Sequence, residues 1–301
     1  MLFPGQGSQS VGMGQDLYES NEIGKEYYQR ADAVLGFEIS ELCFLGPTEK
    51  LQQTEFTQPA IFVHSYICFK ILESQGIVPQ VVAGHSLGEY SALVAAGAVD
   101  FENGLRIVRQ RGLLMQKAGE KRPGAMAVLL GADPTKVKQL CEAVQEQGLV
   151  QPANFNSPEQ IVISGEVKAV EAALGKSKAL GIKRALRLPV SGAFHSSLMN
   201  ETQNEFRQAL LSLPLREPRV PVVTNVTARA VKECEEIRGL LLQQLTSPVR
   251  WTEAMQTLVE LGYRKGLEVG PGSVLSGLMK KIDIRFECTP MGKLVDFQNL
   301  S

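Results

Sequence analysis

Ser86 is the residue around which chemistry can be built. It stands in Gly84-His85-Ser86-Leu87-Gly88, after the apolar run Val81-Val82-Ala83 and before the helix-forming stretch Tyr90 to Ala96. A Gly-X-Ser-X-Gly between a strand and a helix predicts a nucleophile elbow, a sharp turn that exposes the serine hydroxyl at its tip. The two glycines remove Cβ atoms where strand and helix crowd together. A serine nucleophile needs a base, and the chain has only three histidines, His64, His85 and His195. His64 lies inside the apolar segment Ile61 to Phe69 and reads as a core histidine. His85 is adjacent to the serine, where side chains diverge, so it reads as packing or orienting the turn. His195, in the loop Gly192-Ala193-Phe194-His195-Ser196-Ser197, is left as the base, and the pair is read as a Ser–His dyad with a backbone carbonyl orienting the ring.

Arg111 is the other singular side chain. On a helical wheel of Leu105 to Met115, the polar arc holds Arg106, Arg109 and Gln110, whereas Arg111 falls among Ile107, Val108, Leu114 and Met115. A buried guanidinium needs an anion. On these residues alone a structural carboxylate is the slightly better reading, with a carboxylate on a ligand as the alternative. The loop Phe3-Pro4-Gly5-Gln6-Gly7-Ser8-Gln9 follows an expected first strand and can present an amide to a developing oxyanion beside the elbow. It lacks the lysine of a phosphate-binding loop. Gly270-Pro271-Gly272-Ser273 reads as a turn and helix N-cap.

The elements that must position these groups alternate between short β-branched runs and helical periods, which indicates an α/β fold with a mainly parallel sheet. Helical segments are expected at Ala60 to Leu72, Tyr90 to Ala98 and Gly104 to Ala118, with a strand at Val81 to Ala83. Between residues 122 and 190 the order becomes strand, helix, strand, strand, helix, strand, as in a ferredoxin-like unit. The expected organisation is therefore a discontinuous large domain, 1–121 and 191–301, with a small domain, 122–190, inserted into it.

Composition narrows the function classes. Lys plus Arg number 31 against 32 Asp plus Glu, so no global field recruits nucleic acid or an anionic membrane. Five scattered cysteines without a Cys-X-X-Cys pair fit a reducing compartment and argue against a metal site. No apolar run approaches ~18 residues and no signal-like core opens the chain, so the cytoplasm is the expected location.

Taken together, Gly84 to Tyr90, Phe3 to Gln9, Gln110-Arg111-Gly112 and Ala193-Phe194-His195, with Thr57 to Ala60 and Asn154 to Pro158, closely resemble the malonyl-CoA:acyl carrier protein transacylases over nearly the whole chain. The resemblance implies a hydrolase-like large domain with a ferredoxin-like insertion. It implies ping-pong transfer of malonyl from malonyl-CoA to the phosphopantetheine thiol of acyl carrier protein, for fatty acid synthesis. Ser86 is then the acylated nucleophile, His195 base and then acid, and Arg111 the clamp on the malonyl carboxylate. The backbone amides of Gln6 and Leu87 form the oxyanion hole, and no cofactor or metal takes part.

Two departures from the family pattern bear on geometry. Met1 stands almost against the first loop, so a short first strand is expected. Ser247 occupies a position where many relatives have an asparagine whose main-chain carbonyl holds the histidine, and the same carbonyl is expected to serve here. Phe194 resembles the malonyl-selective form of polyketide acyltransferases, in which its bulk excludes a methyl branch. The expected assembly is a monomer. The alternative functions are a serine esterase or thioesterase using the same pair, or an acyltransferase of a polyketide pathway.

Overall fold

A computed structural model describes residues 1–190 and 192–299. Two sheets organise it. The larger has the strand order β10-β9-β1-β2-β7-β8, where β1 is Leu2–Phe3, β2 Val82–Gly84, β7 Val222–Val223, β8 Ala230–Val231, β9 Lys265–Val269 and β10 Glu287–Met291. All its pairings are parallel except β7 with β8. β1 is two residues long and central, pairing Leu2 with Ala83 on one side and with Glu268 on the other. This agrees with a short first strand. Parallel strands buried on both faces are apolar throughout, and Leu2, Phe3, Val82, Ala83, Val222 and Val223 are all buried.

Helices cover both faces. The long helix Thr54–Ser74 begins before the expected Ala60 and accommodates Pro59 near its start. Its neighbour Phe101–Lys121 is capped by Asp100, whose side chain accepts from Asn103 N. The buried Phe62, Val63, Leu105 and Val108 on these helices pack into the main core.

The smaller sheet has the order β4-β5-β3-β6, with β3 Gly124–Leu130, β4 Val150–Ser157, β5 Gln160–Glu166 and β6 Arg184–Arg187, and every pairing is antiparallel. The helices Pro134–Glu142 and Val167–Ser177 complete the expected strand and helix order. This sheet has its own core around Leu129, Val137, Leu140, Ile163 and Val170. Ser191, the expected boundary of the second large segment, lies outside the described residues. β4 is tied to the segment before the helix Trp251–Glu260 by an isolated parallel bridge between Asn154 and Val249, with Phe155 N donating to the Val249 carbonyl at 2.9 Å.

Ser273 is the N-cap residue of the helix Val274–Ile282, as expected, but its side chain makes no cap bond. The buried Glu268 carboxylate accepts from Leu275 N at 2.8 Å and Ser276 N at 2.7 Å instead. An anion fully buried at a helix start satisfies two orphan amides and the helix dipole together, which a neutral hydroxyl does less well.

Candidate active site

β2 ends at Gly84 and the helix Gly88–Ala95 begins four residues later, with Ser86 at φ 50° between them. Such a positive φ is costly for a non-glycine residue and persists only when its surroundings over-determine it. Here they do. A Cβ on Gly84 would lie 1.9 Å from the Gly88 carbonyl carbon, and one on Gly88 would lie 2.1 Å from the Phe3 carbonyl oxygen. Asn225 spans the turn: Ser86 N donates to its Oδ1 at 2.7 Å, and its Nδ2 donates to the Gly84 carbonyl at 2.6 Å.

His195, itself at φ 56°, places Nε2 2.8 Å from Ser86 Oγ. Its Nδ1 lies 2.8 Å from the Gln244 carbonyl, not from that of Ser247. Gln244 ends the helix Cys234–Gln244, so its carbonyl has no amide further along the helix to accept from. The Ser247 backbone, the expected acceptor, also acts on the ring in the same direction as Gln244 but more weakly. A donor at Nδ1 leaves Nε2 with a lone pair toward the serine proton. Burial above all, then the charge of Arg111, pulls the imidazole pKa down to about 3. The ring is therefore neutral in the resting protein.

Arg111 projects from the helix Phe101–Lys121 and is 1% exposed. Nη1 donates to Gln58 Oε1 at 2.8 Å, and Nη2 donates to Gln244 Oε1 at 2.9 Å and to Ser86 Oγ at 3.1 Å. These partners are all uncharged. Among the described residues no carboxylate pairs with it, which overturns the structural ion pair favoured from the wheel. Burial lowers its pKa, opposed by Tyr90 and Glu89.

The glycine-rich loop packs directly on the elbow, and a Cβ on Gly5 would approach the His85 carbonyl to 2.4 Å. Gln6 and Leu87 line the cleft beside Ser86. Their backbone N–H groups donate to no acceptor among the described residues, which leaves them available to an incoming oxygen. The cleft holds about 160 Å³ and is lined by Met126, Asn154, Asn156 and Val162 of the smaller sheet together with Gln58 and Arg111. Phe194 lines it too, its ring over Gly192, where a Cβ would lie 2.3 Å from the ring edge.

The other histidines have structural partners. His64 bonds the Gly292 carbonyl at 2.9 Å and lies 3.3 Å from the Tyr28 hydroxyl. His85 bonds Asn156 Oδ1 at 2.8 Å and packs edge-on to Trp251. The sequence reading missed Gln58, Asn225 and Gln244, and Glu89 lies three residues from the serine. Glu89 does not touch His195; it accepts from Gln244 Nε2 at 2.6 Å and from Asn225 N at 3.3 Å. No spacing marks these residues, since they come from four separate segments and meet only in the fold.

A parallel α/β sheet that holds a serine on a strained elbow, against a neutral histidine and two undonated amides, defines a class: serine enzymes that carry an acyl group through an ester. Residues 1–283 match the family described as the acyl transferase domain. The chain is 45% identical over 287 residues to the malonyl CoA-acyl carrier protein transacylase of Bacillus subtilis, covering 95% of this chain and 90% of the relative. It is 43% identical over 282 residues to that of Escherichia coli, covering 93% and 91%. Among solved structures, the malonyl CoA-acyl carrier protein transacylase of Coxiella burnetii superposes with a TM-score of 0.96 at 40% identity, over 99% of this chain and 95% of that one. A malonyl-transacylase in complex with its type II polyketide synthase acyl-carrier protein gives 0.96 at 41%, over 99% and 97%. The chain belongs to the acyl transferase family, in its malonyl CoA-acyl carrier protein transacylase branch, and is an acyltransferase.

Proposed function

We propose that the protein transfers malonyl from malonyl-CoA to the phosphopantetheine thiol of acyl carrier protein, through a malonyl ester on Ser86. The observation that carries the substrate assignment is Arg111, a fully buried cation with no carboxylate partner, set against the nucleophile. A carboxylate on the acyl group supplies the missing anion, and a guanidinium grips it in two places. The names of the relatives supply the donor and the carrier.

His195 Nε2 takes the Ser86 proton as Oγ attacks the thioester carbonyl, whose oxygen becomes an oxyanion between the Gln6 and Leu87 amides. Collapse breaks the carbon–sulfur bond, and the imidazolium returns that proton to the departing coenzyme A thiolate. The carrier thiol then enters the cleft and gives its proton to His195. Its sulfur attacks the ester carbonyl, and the proton goes back to Ser86 Oγ as the malonyl thioester leaves. The chain's own groups account for each proton. Phe194, packed on Gly192 at the acyl end, favours malonyl over a branched acyl group.

The same reading makes the large sheet hydrolase-like and residues 122–190 a ferredoxin-like inserted domain. It also makes the protein a cytoplasmic monomer that works without a cofactor, and the carrier that of fatty acid synthesis. No helix among the described residues is long and apolar enough to cross a membrane.

The test is to incubate the protein with malonyl-CoA or acetyl-CoA, quench, and measure intact and peptide masses with and without carrier protein. A malonyl adduct on Ser86 that persists in water and leaves with the carrier supports the transferase. Rapid release of free acid without an adduct marks a hydrolase.

A further inference from the structure

Gln244 bonds the base, the clamp and the backbone of the nucleophile. Its backbone carbonyl takes the His195 Nδ1 bond, its Nε2 donates to the Ser86 carbonyl at 2.9 Å and to Glu89 Oε2 at 2.6 Å, and its Oε1 accepts from Arg111. We propose that Glu89 and Gln244 act together as positioning residues for the clamp: Glu89 fixes which way the Gln244 amide faces, and the amide oxygen then fixes Arg111. This inference rests on Arg111 gripping the carboxylate of the acyl group.

The chemistry of the partners enforces the orientation. The Ser86 carbonyl can only accept, so the amide edge facing it must be the NH₂. Arg111 can only donate, so the edge facing it must be the oxygen. Glu89, 1% exposed, accepts the second Nε2 proton. Turning the amide over would set NH₂ against guanidinium and oxygen against two acceptors. Glu89 is itself held, because its other oxygen accepts from Asn225 N. The relay thus runs from the staple of the elbow, through a buried carboxylate and one amide, to Nη2 of the clamp. Arg111 Nε has no partner among the described residues, so Gln58 and Gln244 are the only amide oxygens that set the plane of its fork.

A positioned fork matters more to an acyl group with a carboxylate than to one without. The relay therefore affects the ratio of malonyl to acetyl transfer, not simply the rate. The experiment measures kcat/KM for Ser86 acylation by malonyl-CoA and by acetyl-CoA in wild type, Gln244→Met, Glu89→Leu and the double variant, with thermal unfolding as a check on folding. Gln244→Met keeps the backbone carbonyl for His195 but removes the amide. Each single change is expected to lower the malonyl-to-acetyl ratio by about tenfold, the scale of one hydrogen bond to a charged group. The double variant is expected to fall no further than the larger single, because two links of one chain cannot both be broken twice.

Ratios that stay at the wild-type value, or losses that multiply in the double variant, overturn the relay. Where Glu89→Leu does not fold, Gln244→Glu replaces it: a carboxylate set beside Arg111 competes with the substrate and is expected to lower the ratio further than Gln244→Met. An unchanged ratio there also overturns the relay. A wild-type protein that does not prefer malonyl removes the parent reading instead, so the two failures are separate.

Discussion

Arg111 Nη2 donates to Ser86 Oγ at 3.1 Å, so the buried cation of the site rests on the nucleophile itself. Ser86 Oγ accepts from Arg111 on one side while its own proton points to His195 Nε2, 2.8 Å away on the other.

Replacing Arg111 with methionine, which keeps the stem and removes the charge, is expected to abolish the preference for malonyl. An uncompensated buried charge costs ~3–5 kcal/mol. Binding acetyl-CoA leaves Arg111 in that condition, so wild type is expected to favour malonyl by roughly 10²–10⁴-fold in kcat/KM. Acylation rates with the two donors, in wild type and variant, measure the difference directly. A variant that still discriminates a hundredfold places the carboxylate elsewhere.

The pH dependence of acylation follows from the burial of His195. Its pKa, drawn down to about 3, leaves the base form in place across the neutral range, so kcat/KM is expected to show no inflection near the ordinary histidine value. The charge of Arg111 is the second cause of that depression. Removing it raises the pKa, so in Arg111→Met the acid limb is expected to move to higher pH. An acid limb that moves downward contradicts this electrostatic account.

The local parts of the site were legible because each leaves a mark on its own segment. The elbow has its glycines, the base was isolated by the scarcity of histidine, and Arg111 was singled out by its place on an apolar helix face. The partner of Arg111 was not legible, because Gln58 lies 53 residues and Gln244 133 residues away in sequence. The short bond to the histidine falls on Gln244, three residues before the expected Ser247, whose backbone acts more weakly, since the end of a helix determines which carbonyl is left over and helix ends are weakly marked. Periodicity located the small sheet because its strands are long. β8, at two residues, gave no pattern to read.

Asn225 is expected to matter to stability as well as to catalysis. Asn225→Leu leaves the partly buried Ser86 N and the buried Gly84 carbonyl without their partner, and an unsatisfied buried group costs ~1–3 kcal/mol. The expected result is a protein about 2–4 kcal/mol less stable by urea titration, with Ser86 acylation reduced because its φ is no longer held. Full stability in the variant assigns the elbow's geometry to the glycines alone.

His64 gives an acid-sensitive core. Burial lowers its pKa from 6.5 to about 4, so the unfolded chain binds the proton first as pH falls. Stability from this residue is present above the unfolded value and is lost as pH drops from about 6.5 toward 4, by ~2 kcal/mol between pH 7 and pH 5. Glu89 works in the opposite sense: burial raises its pKa to about 7, so its contribution is present below the carboxyl's unfolded value and lost as pH rises through neutrality. Urea midpoints of wild type and His64→Gln at pH 7 and pH 5 separate the two, and the variant is expected to lose less on acidification.

Gly88 is the position at which the smallest change is expected to do the most damage. A methyl group there meets the Phe3 carbonyl oxygen at 2.1 Å and the Pro4 carbonyl oxygen at 2.9 Å, both backbone atoms that no rotamer change can move. Phe3 is fixed in β1, where its carbonyl accepts from His85 N at 3.0 Å, so relief requires pulling the helix Gly88–Ala95 away from the central strand. That separation strips the packing of Leu87 and Tyr90 and moves Ser86 off His195. Gly88→Ala is therefore expected to cost more than the ~1–3 kcal/mol of ordinary overpacking, and to give insoluble protein or protein that folds but forms no acyl adduct. Gly175→Ala makes the control, because a Cβ there meets nothing within 4 Å in an exposed part of the helix Val167–Ser177. It is expected to be neutral or slightly stabilising through its higher helix propensity. Parallel expression, thermal unfolding and adduct mass of the two variants decide whether close approach, rather than glycine content, is what the elbow requires.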